Sequence, residues 1–270
     1  MTYDLYDKLK KCLSFFLIAG PCVIENENIM LKTAEYLTSL TTKSGIPFVF
    51  KASFQKANRT SGSSYQGPGL EEGLTLLQKI KANFNIPLLT DVHEVSDISS
   101  VAEVCDIIQI PAFLSRQTAL IQAAAQTGKI VNIKKGQFMA PEDMKHAAEK
   151  VSAQNNPHVL LTERGTSFGY HNLVVDFRGF QIMKSFDFPV VYDVTHSLQR
   201  PSEGKNSGGN PEYVQMMAQA AIATGFVDGL FIETHPEPSK ALSDAASMLA
   251  LDKMQALIDK CLCIKDALEQ

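Results

Sequence analysis

The sequence predicts a single (β/α)8 TIM barrel, with residues 1–270 as one domain. Three observations predict it: eight short apolar runs, helical stretches between them, and polar residues gathered at one end of the runs. The runs are 15–19, 48–52, 88–92, 107–110, 130–133, 159–162, 190–194 and 229–232. Stretches at 70–83, 115–127, 141–153, 212–224 and 239–252 read as helices. Alternation of continuously apolar strands with helices signals a parallel sheet covered by helices. Eight units uninterrupted by a linker or low-complexity segment favour a closed barrel over an open sheet. Pro47, Pro87 and Pro189 stand just before strands, and Pro141 and Pro211 before helices, where a fixed φ suits the backbone.

Bulk properties set the class. An apolar fraction of 45% with 20% charged residues is that of an ordinary globular protein with a sizeable core. The net charge of −4 and the dispersed Lys and Arg argue against a nucleic-acid partner. No apolar run approaches the roughly 20 residues that cross a bilayer, so no membrane role is expected. The five cysteines, Cys12, Cys22, Cys105, Cys261 and Cys263, form an odd set without framework spacing, which points to a reducing, cytoplasmic setting. Cys261 and Cys263 sit in a late amphipathic segment and read as ordinary thiols.

The polar strand ends carry the chemistry. In a barrel, the C-terminal ends of the strands and the loops beyond them build the active site. Here they read Gly20-Pro21-Cys22, Lys51-Ala52-Ser53, Asp91-Val92-His93, Gln109-Ile110-Pro111, Lys134-Lys135, Glu163-Arg164, Asp193-Val194-Thr195-His196 and Glu233-Thr234-His235. Lys51, Lys56, Arg59, Lys134 and Arg164 converge on that rim from three units. Several cations at one mouth suit a multiply charged anion, with Arg as a bidentate phosphate clamp. The loop from Lys56 to Ser64 adds hydroxyls and amides around Arg59, either as a second phosphate cradle or as a flexible polar loop.

Cys22, His196, Glu233 and Asp244 arrive from strands one, seven and eight and the loop after it, which are neighbours in a closed barrel. Sulfur, nitrogen and oxygen donors together suit Zn, Fe, Mn or Co rather than Ca or Mg. The spacing alone does not single this set out, because no short ligand motif such as H-x-x-x-H is present. His235 competes with His196 as the imidazole donor, since Glu233 and His235 share a strand face. The glycine-bearing stretch 202–210 fits either a mobile lid or a surface insert.

At these residues the chain resembles the 3-deoxy-D-manno-octulosonate-8-phosphate synthases over nearly its whole length. The matching runs are IAGPCVIE, FKASFQKANRTS, LLTDVHE, DIIQIPAFLSRQT, VNIKKGQF, LTERGTSFGYHNLVVDFR, YDVTHSLQ and LFIETHPEPSKALSDAAS. The resemblance implies a cytoplasmic, homotetrameric transferase of lipopolysaccharide precursor synthesis. It would condense phosphoenolpyruvate with arabinose 5-phosphate. Lys56, Lys134 and Arg164 would hold the phosphate of phosphoenolpyruvate, with Lys51, Ser53 and Gln109 near its carboxylate and an ordered water. Asn58, Arg59, Thr60 and Ser61 would bind arabinose 5-phosphate, with Phe113 and Arg116 approaching from a neighbouring subunit. Asp244 or Asp91 would handle protons.

That family divides into members with Cys after Gly-Pro, which depend on a divalent metal, and members with Asn there, which do not. Cys22 places this chain in the first group, and the resemblance then makes Cys22, His196, Glu233 and Asp244 the ligands. The chain departs from the family wording at Thr60, where Ser is common, and at Gln55, where Asp is common. It also departs in the lid stretch 199–204 and at Val227, where many metal-dependent members carry Cys.

Three other readings remain to be separated. A sister family uses erythrose 4-phosphate and typically carries Lys-Pro-Arg-Thr where this chain has Lys56-Ala57-Asn58-Arg59-Thr60, one residue longer. A Schiff-base aldolase would use Lys134 or Lys135 as a nucleophile. A sugar-phosphate-binding protein with an eroded site would not turn over.

Overall fold

The computed structural model describes residues 2–58, 64–200 and 208–268. Eight parallel strands close on themselves: β1 (Phe16–Gly20), β2 (Phe48–Lys51), β3 (Leu88–Asp91), β4 (Ile107–Ile110), β5 (Ile130–Lys134), β6 (Val159–Glu163), β7 (Val190–Asp193) and β8 (Gly229–His235). Pairing of β8 with β1, from Phe16 opposite Gly229 to Gly20 opposite Glu233, completes the (β/α)8 barrel. All eight expected runs are strands, with ends shifted by at most three residues.

Helices cover the outside: α2 (Glu27–Ser44), α3 (Leu70–Phe84), α4 (Ile98–Val104), α5 (Thr118–Gln126), α6 (Met144–Ser152), α7 (Arg178–Lys184), α9 (Val214–Ala223) and α10 (Met254–Leu268). The short α8 (Val194–Ser197) caps β7 instead. Among the described residues no helix is long and apolar enough to cross a membrane.

Strand alternation divides the apolar residues into two cores. Outward residues such as Leu17, Phe50, Ile108, Val131, Leu161 and Ile232 pack under the helices. Inward residues Phe16, Ile18, Val49, Leu89, Ile107, Ile130, Leu160, Val191 and Phe231 fill the lower barrel. An element the sequence reading did not anticipate, α1 (Thr2–Lys10), plugs the bottom with Tyr6 and Leu9. Burial pushes the Tyr6 phenol up to about 12, and its O–H donates to the Val159 carbonyl at 3.3 Å.

One expected helix is absent. Residues 239–252 form a 3-10 turn at Pro238–Lys240, a loop, and a strand at Leu249–Ala250 that pairs with the end of β8. The reason is tethering to the rim. The Thr234 hydroxyl donates to the Leu249 carbonyl at 2.8 Å, and the Leu242 amide donates to Glu25 at 2.9 Å. Asp244 has φ +47, outside the helical region. The C-terminal helix begins only at Met254, and it buries Cys261 while leaving Cys263 exposed.

Candidate active site

Each inward row turns polar as it climbs. Val49 is followed by Lys51, Leu89 by Asp91, Ile107 by Gln109, Val191 by Asp193 and Phe231 by Glu233, each two residues on and facing the same way. Between the apolar floor and the charged rim lies a belt of neutral hydrogen bonds. Thr162 donates to Asn132 at 2.6 Å, and Asn132 donates to Gln109 at 3.0 Å. All three are buried, so mutual pairing offsets their desolvation.

Above the belt opens a cleft of about 600 Å³ lined by Lys51, Lys56, Asn58, Asp91, His93, Gln109, Phe113, Lys134, Arg164, His196 and Asp244, among others. Its size is that of a small-molecule site. The predicted cations Lys51, Lys56, Lys134 and Arg164 all reach it from their separate strands and loops. Lys134 donates to Asp193 at 2.5 Å and stands 3.8 Å above the centre of the Phe231 ring. Burial lowers its pKa, opposed by the Asp193 carboxylate. Lys51 donates to Glu233 at 2.7 Å and to the Cys22 carbonyl at 2.9 Å. Gly20 permits that closeness of β1 and β2, because a Cβ there would lie 2.1 Å from the Lys51 carbonyl oxygen. Burial works against charge on Lys56, but Cys22, Glu233 and Asp91 outweigh it and hold its pKa up.

Arg164 donates to Gln199 at 3.0 Å, yet its other terminal nitrogen, Nη1, has no hydrogen-bond partner among the described residues. Such a buried donor is unfavourable until an acceptor arrives. Asp91 accepts from the Ser53 hydroxyl and stands 3.4 Å from His93. Burial opposes its ionisation, but Lys56 and Lys51 prevail and hold the carboxyl well below the usual range. Ser53 itself lies under the cleft, 0% exposed.

Metal-competent donors cluster beside these cations. Ligand atoms of Cys22, Glu233 and Asp244 lie within 4.8 Å of one another. Cys22 Sγ is 2.9 Å from Asp244 Oδ2, and His196 Nε2 is 3.5 Å from Glu233 Oε2 and 4.0 Å from Asp244 Oδ2. Burial pushes the Cys22 thiol up, and Asp244 and Glu233 add to the effect. Lys56 and Lys51 lower it only in part; a metal ion held among these sulfur, nitrogen and oxygen donors would reverse it, and the donor set fits one.

The structure also separates the two candidate imidazoles. Asp193 caps α8 by accepting the His196 amide at 3.0 Å and holds His196 Nδ1 at 2.8 Å, leaving Nε2 to face the cluster. His235 turns away, accepting the Glu237 amide and standing 3.7 Å from Glu25. Asp193, which pairs with both Lys134 and His196, is the residue of this site that sequence reasoning missed. Its position at a strand end was visible, but its two partners depend on the turn of α8.

Of the two residues expected to approach a neighbouring subunit's site, Arg116 is exposed and does not line its own chain's cleft, whereas Phe113 lines it with 58% of its surface free. Arg59, Thr60, Ser61 and most of the lid stretch lie outside the described residues. What is described of that stretch returns as a small antiparallel pair, Gln199–Arg200 with Gly208–Gly209. His146 on α6 and His158 just before β6 stand away from the rim.

Fold and site together define a barrel whose upper interior gathers Lys51, Lys56, Lys134 and Arg164 beside a metal-competent donor cluster. Residues 11–268 match the model of the DAHP synthetase I family, and the chain belongs to that family. It is 55% identical over 245 residues to the 2-dehydro-3-deoxyphosphooctonate aldolase of Methylococcus capsulatus, covering 90% of this chain and 86% of that one. The proteins of that name from Dichelobacter nodosus and Citrifermentans bemidjiense are 55% and 53% identical. These two alignments cover 91% and 90% of this chain, and 89% of each relative.

Proposed function

We propose that this chain, as one barrel domain, condenses phosphoenolpyruvate with D-arabinose 5-phosphate and water. The products are 3-deoxy-D-manno-octulosonate 8-phosphate and inorganic phosphate, for lipopolysaccharide precursor synthesis in the cytoplasm. The observation that carries the reading is the convergence of Lys56, Lys134 and Arg164 on one cleft, with Arg164 Nη1 lacking a partner among the described residues. The names of relatives above 50% identity support the same reaction.

Carbon 3 of phosphoenolpyruvate attacks the aldehyde carbon, leaving cationic character at carbon 2. Water adds there, and the phosphohemiketal collapses with loss of phosphate. Two phosphorylated substrates repel each other, so the residues that neutralise and align them matter most. Lys56, Lys134 and Arg164 hold the phosphoenolpyruvate phosphate, while Lys51, Ser53 and Gln109 serve its carboxylate and the water. Asn58, Arg59, Thr60 and Ser61 hold the aldose phosphate. Asp244 or Asp91 handles protons; Lys56 and Lys51 keep Asp91 ionised, at the expense of its basicity.

Cys22, His196, Glu233 and Asp244 would hold one divalent Zn, Fe, Mn or Co ion, which would supply Lewis acidity, either toward the aldehyde or toward a bound water. The active form is a homotetramer in which Phe113 and Arg116 reach a neighbour's site. The exposure of both side chains leaves them free to contact a neighbour and supports that assembly.

Phosphate release with phosphoenolpyruvate and each of two aldoses, before and after chelation, tests this reading. Release with arabinose 5-phosphate that chelation stops and a transition metal restores is expected. A clear preference for erythrose 4-phosphate, or full activity of metal-stripped Cys22→Ala, would overturn the substrate or the metal assignment respectively.

A further inference from the structure

Behind the two inward cations Lys134 and Arg164 stand two buried charges that face the other way. Lys135 follows Lys134 at the end of β5, and Glu163 precedes Arg164 at the end of β6. Alternation along the strands sends Lys134 and Arg164 to the cleft and their neighbours to the helix side. Neither Lys135 nor Glu163 lines the cleft, and both are buried, with side chains 1% and 3% exposed. Glu163 lies against α7, where a Cβ on Gly179 would come 3.7 Å from its Oε2.

The pair is fully engaged. Lys135 Nζ stands 3.4 Å from Glu163 Oε1 and donates to the Met139 carbonyl at 3.2 Å, the Gly136 carbonyl at 3.4 Å and the Thr166 hydroxyl at 3.1 Å. Glu163 Oε1 in turn accepts the backbone N–H of Arg164 at 2.9 Å and of Gly165 at 2.6 Å. Gly165 has φ +94, which lets both amides turn toward one oxygen. The loop after β5 and the hairpin of Thr166–Ser167 with Leu173–Val174 after β6 are thus tied through one ammonium and one carboxylate. A backbone bond from the Ser167 amide to the Gln137 carbonyl at 3.0 Å adds to the tie.

A buried ion pair is a poor device for stability alone, since apolar residues of similar volume often do as well. Its partners here show another use. We infer that Lys135 and Glu163 are positioning residues that fix the peptide leaving Arg164, and through it the placement of the guanidinium relative to Lys134. This rests on the reading that Lys134 and Arg164 hold the phosphate of phosphoenolpyruvate. It also gives the tandem lysines separate duties, Lys134 toward substrate and Lys135 toward the backbone behind it.

Lys135→Met keeps the apolar stem and removes the ammonium, and Glu163→Gln keeps an acceptor oxygen and removes the charge. Each is expected to raise KM for phosphoenolpyruvate by about tenfold or more while KM for arabinose 5-phosphate stays within about twofold. The double variant is expected to do no more harm than the worse single one, because both act on the same peptide. Lys135→Arg is expected to recover part of the loss. Thr166→Val removes one support of Lys135 without touching either charge and remains usable if the charge variants fail to fold. It is expected to raise the same KM by about two- to threefold.

Calorimetric titration of each folded protein with phosphoenolpyruvate alone separates the two ways of failing. A wild-type chain that does not bind phosphoenolpyruvate ends the reading on which the inference rests. A wild-type chain that binds it, with variants that bind equally well and differ only in melting temperature, overturns the positioning role. Equal rises in KM for both substrates would overturn it too.

Discussion

The lower and upper halves of the barrel interior are made by the same strands and obey opposite rules. Below, Val49, Leu89, Ile107, Ile130, Leu160 and Val191 meet the α1 plug in an apolar core that needs only close packing. Above, the next inward residues include Lys51, Asp91, Asp193 and Glu233, with Lys134 one step beyond Asn132, all five buried and ionic. Phe231 marks the boundary. It belongs to the lower core, yet Lys134 and Lys51 stand 3.8 and 5.6 Å from its ring centre and the His196 ring lies 5.8 Å away. The contrast teaches that two residues of rise separate an apolar region that holds the fold together from an ionic one that opens on the cleft. Substitutions that keep the polarity of one half should therefore leave the other half's property untouched.

The strongest way to break that contrast is Arg164→Met. Loss of a clamp on developing or transferring charge is expected to lower kcat/KM by about 100- to 1,000-fold, by analogy with single oxyanion donors. The melting temperature should change by no more than the loss of one hydrogen bond, that to Gln199, because Arg164 Nη1 lacks a partner among the described residues. Steady-state phosphate release and a thermal melt on the same preparation check both halves of the prediction.

Asp193→Asn comes next. It keeps the shape but removes the charge that faces Lys134 and His196 Nδ1. Partners behind metal ligands typically contribute 10- to 100-fold, so a drop of about that size in metal affinity is expected in a competition with a chromogenic chelator. Unchanged affinity would mean that His196 is oriented without Asp193.

In the lower half, Ile107→Val removes one methylene from a packed site. It should reduce stability by about 0.5–1.5 kcal/mol in a denaturant titration and leave kcat/KM of the folded protein within about twofold. A larger activity loss than that would show the two halves to be coupled through the floor. The smallest effect is expected at the bottom rim, where Lys10 joins Asp187 at 3.0 Å in a largely exposed pair. Lys10→Met should change stability by less than about 1 kcal/mol and activity not at all.

Much of this was legible in the residues alone because the barrel strands are short, apolar and regularly spaced. The polar ends of those runs pointed to the rim, and Lys51, Lys134, Arg164 and Glu233 stand where strand alternation places them. What escaped depends on contacts distant in sequence. The stretch 239–252 has helical periodicity, but tethers from Glu25 and Thr234 pull it into a loop that delivers Asp244 beside Cys22. His196 and His235 could not be told apart by strand parity, because His196 reaches the cluster from the single turn of α8 rather than from a strand. The α1 plug was missed for a related reason: a short N-terminal amphipathic segment says nothing of which surface it covers.

The most direct test of the upper-half account is a crystal structure of the protein with phosphoenolpyruvate bound. The account predicts phosphoryl oxygens at about 2.7–2.9 Å from nitrogens of Lys56, Lys134 and Arg164 together, the distance of charge-assisted hydrogen bonds. A phosphate bound elsewhere in the cleft, with Arg164 Nη1 still unpartnered, would contradict it.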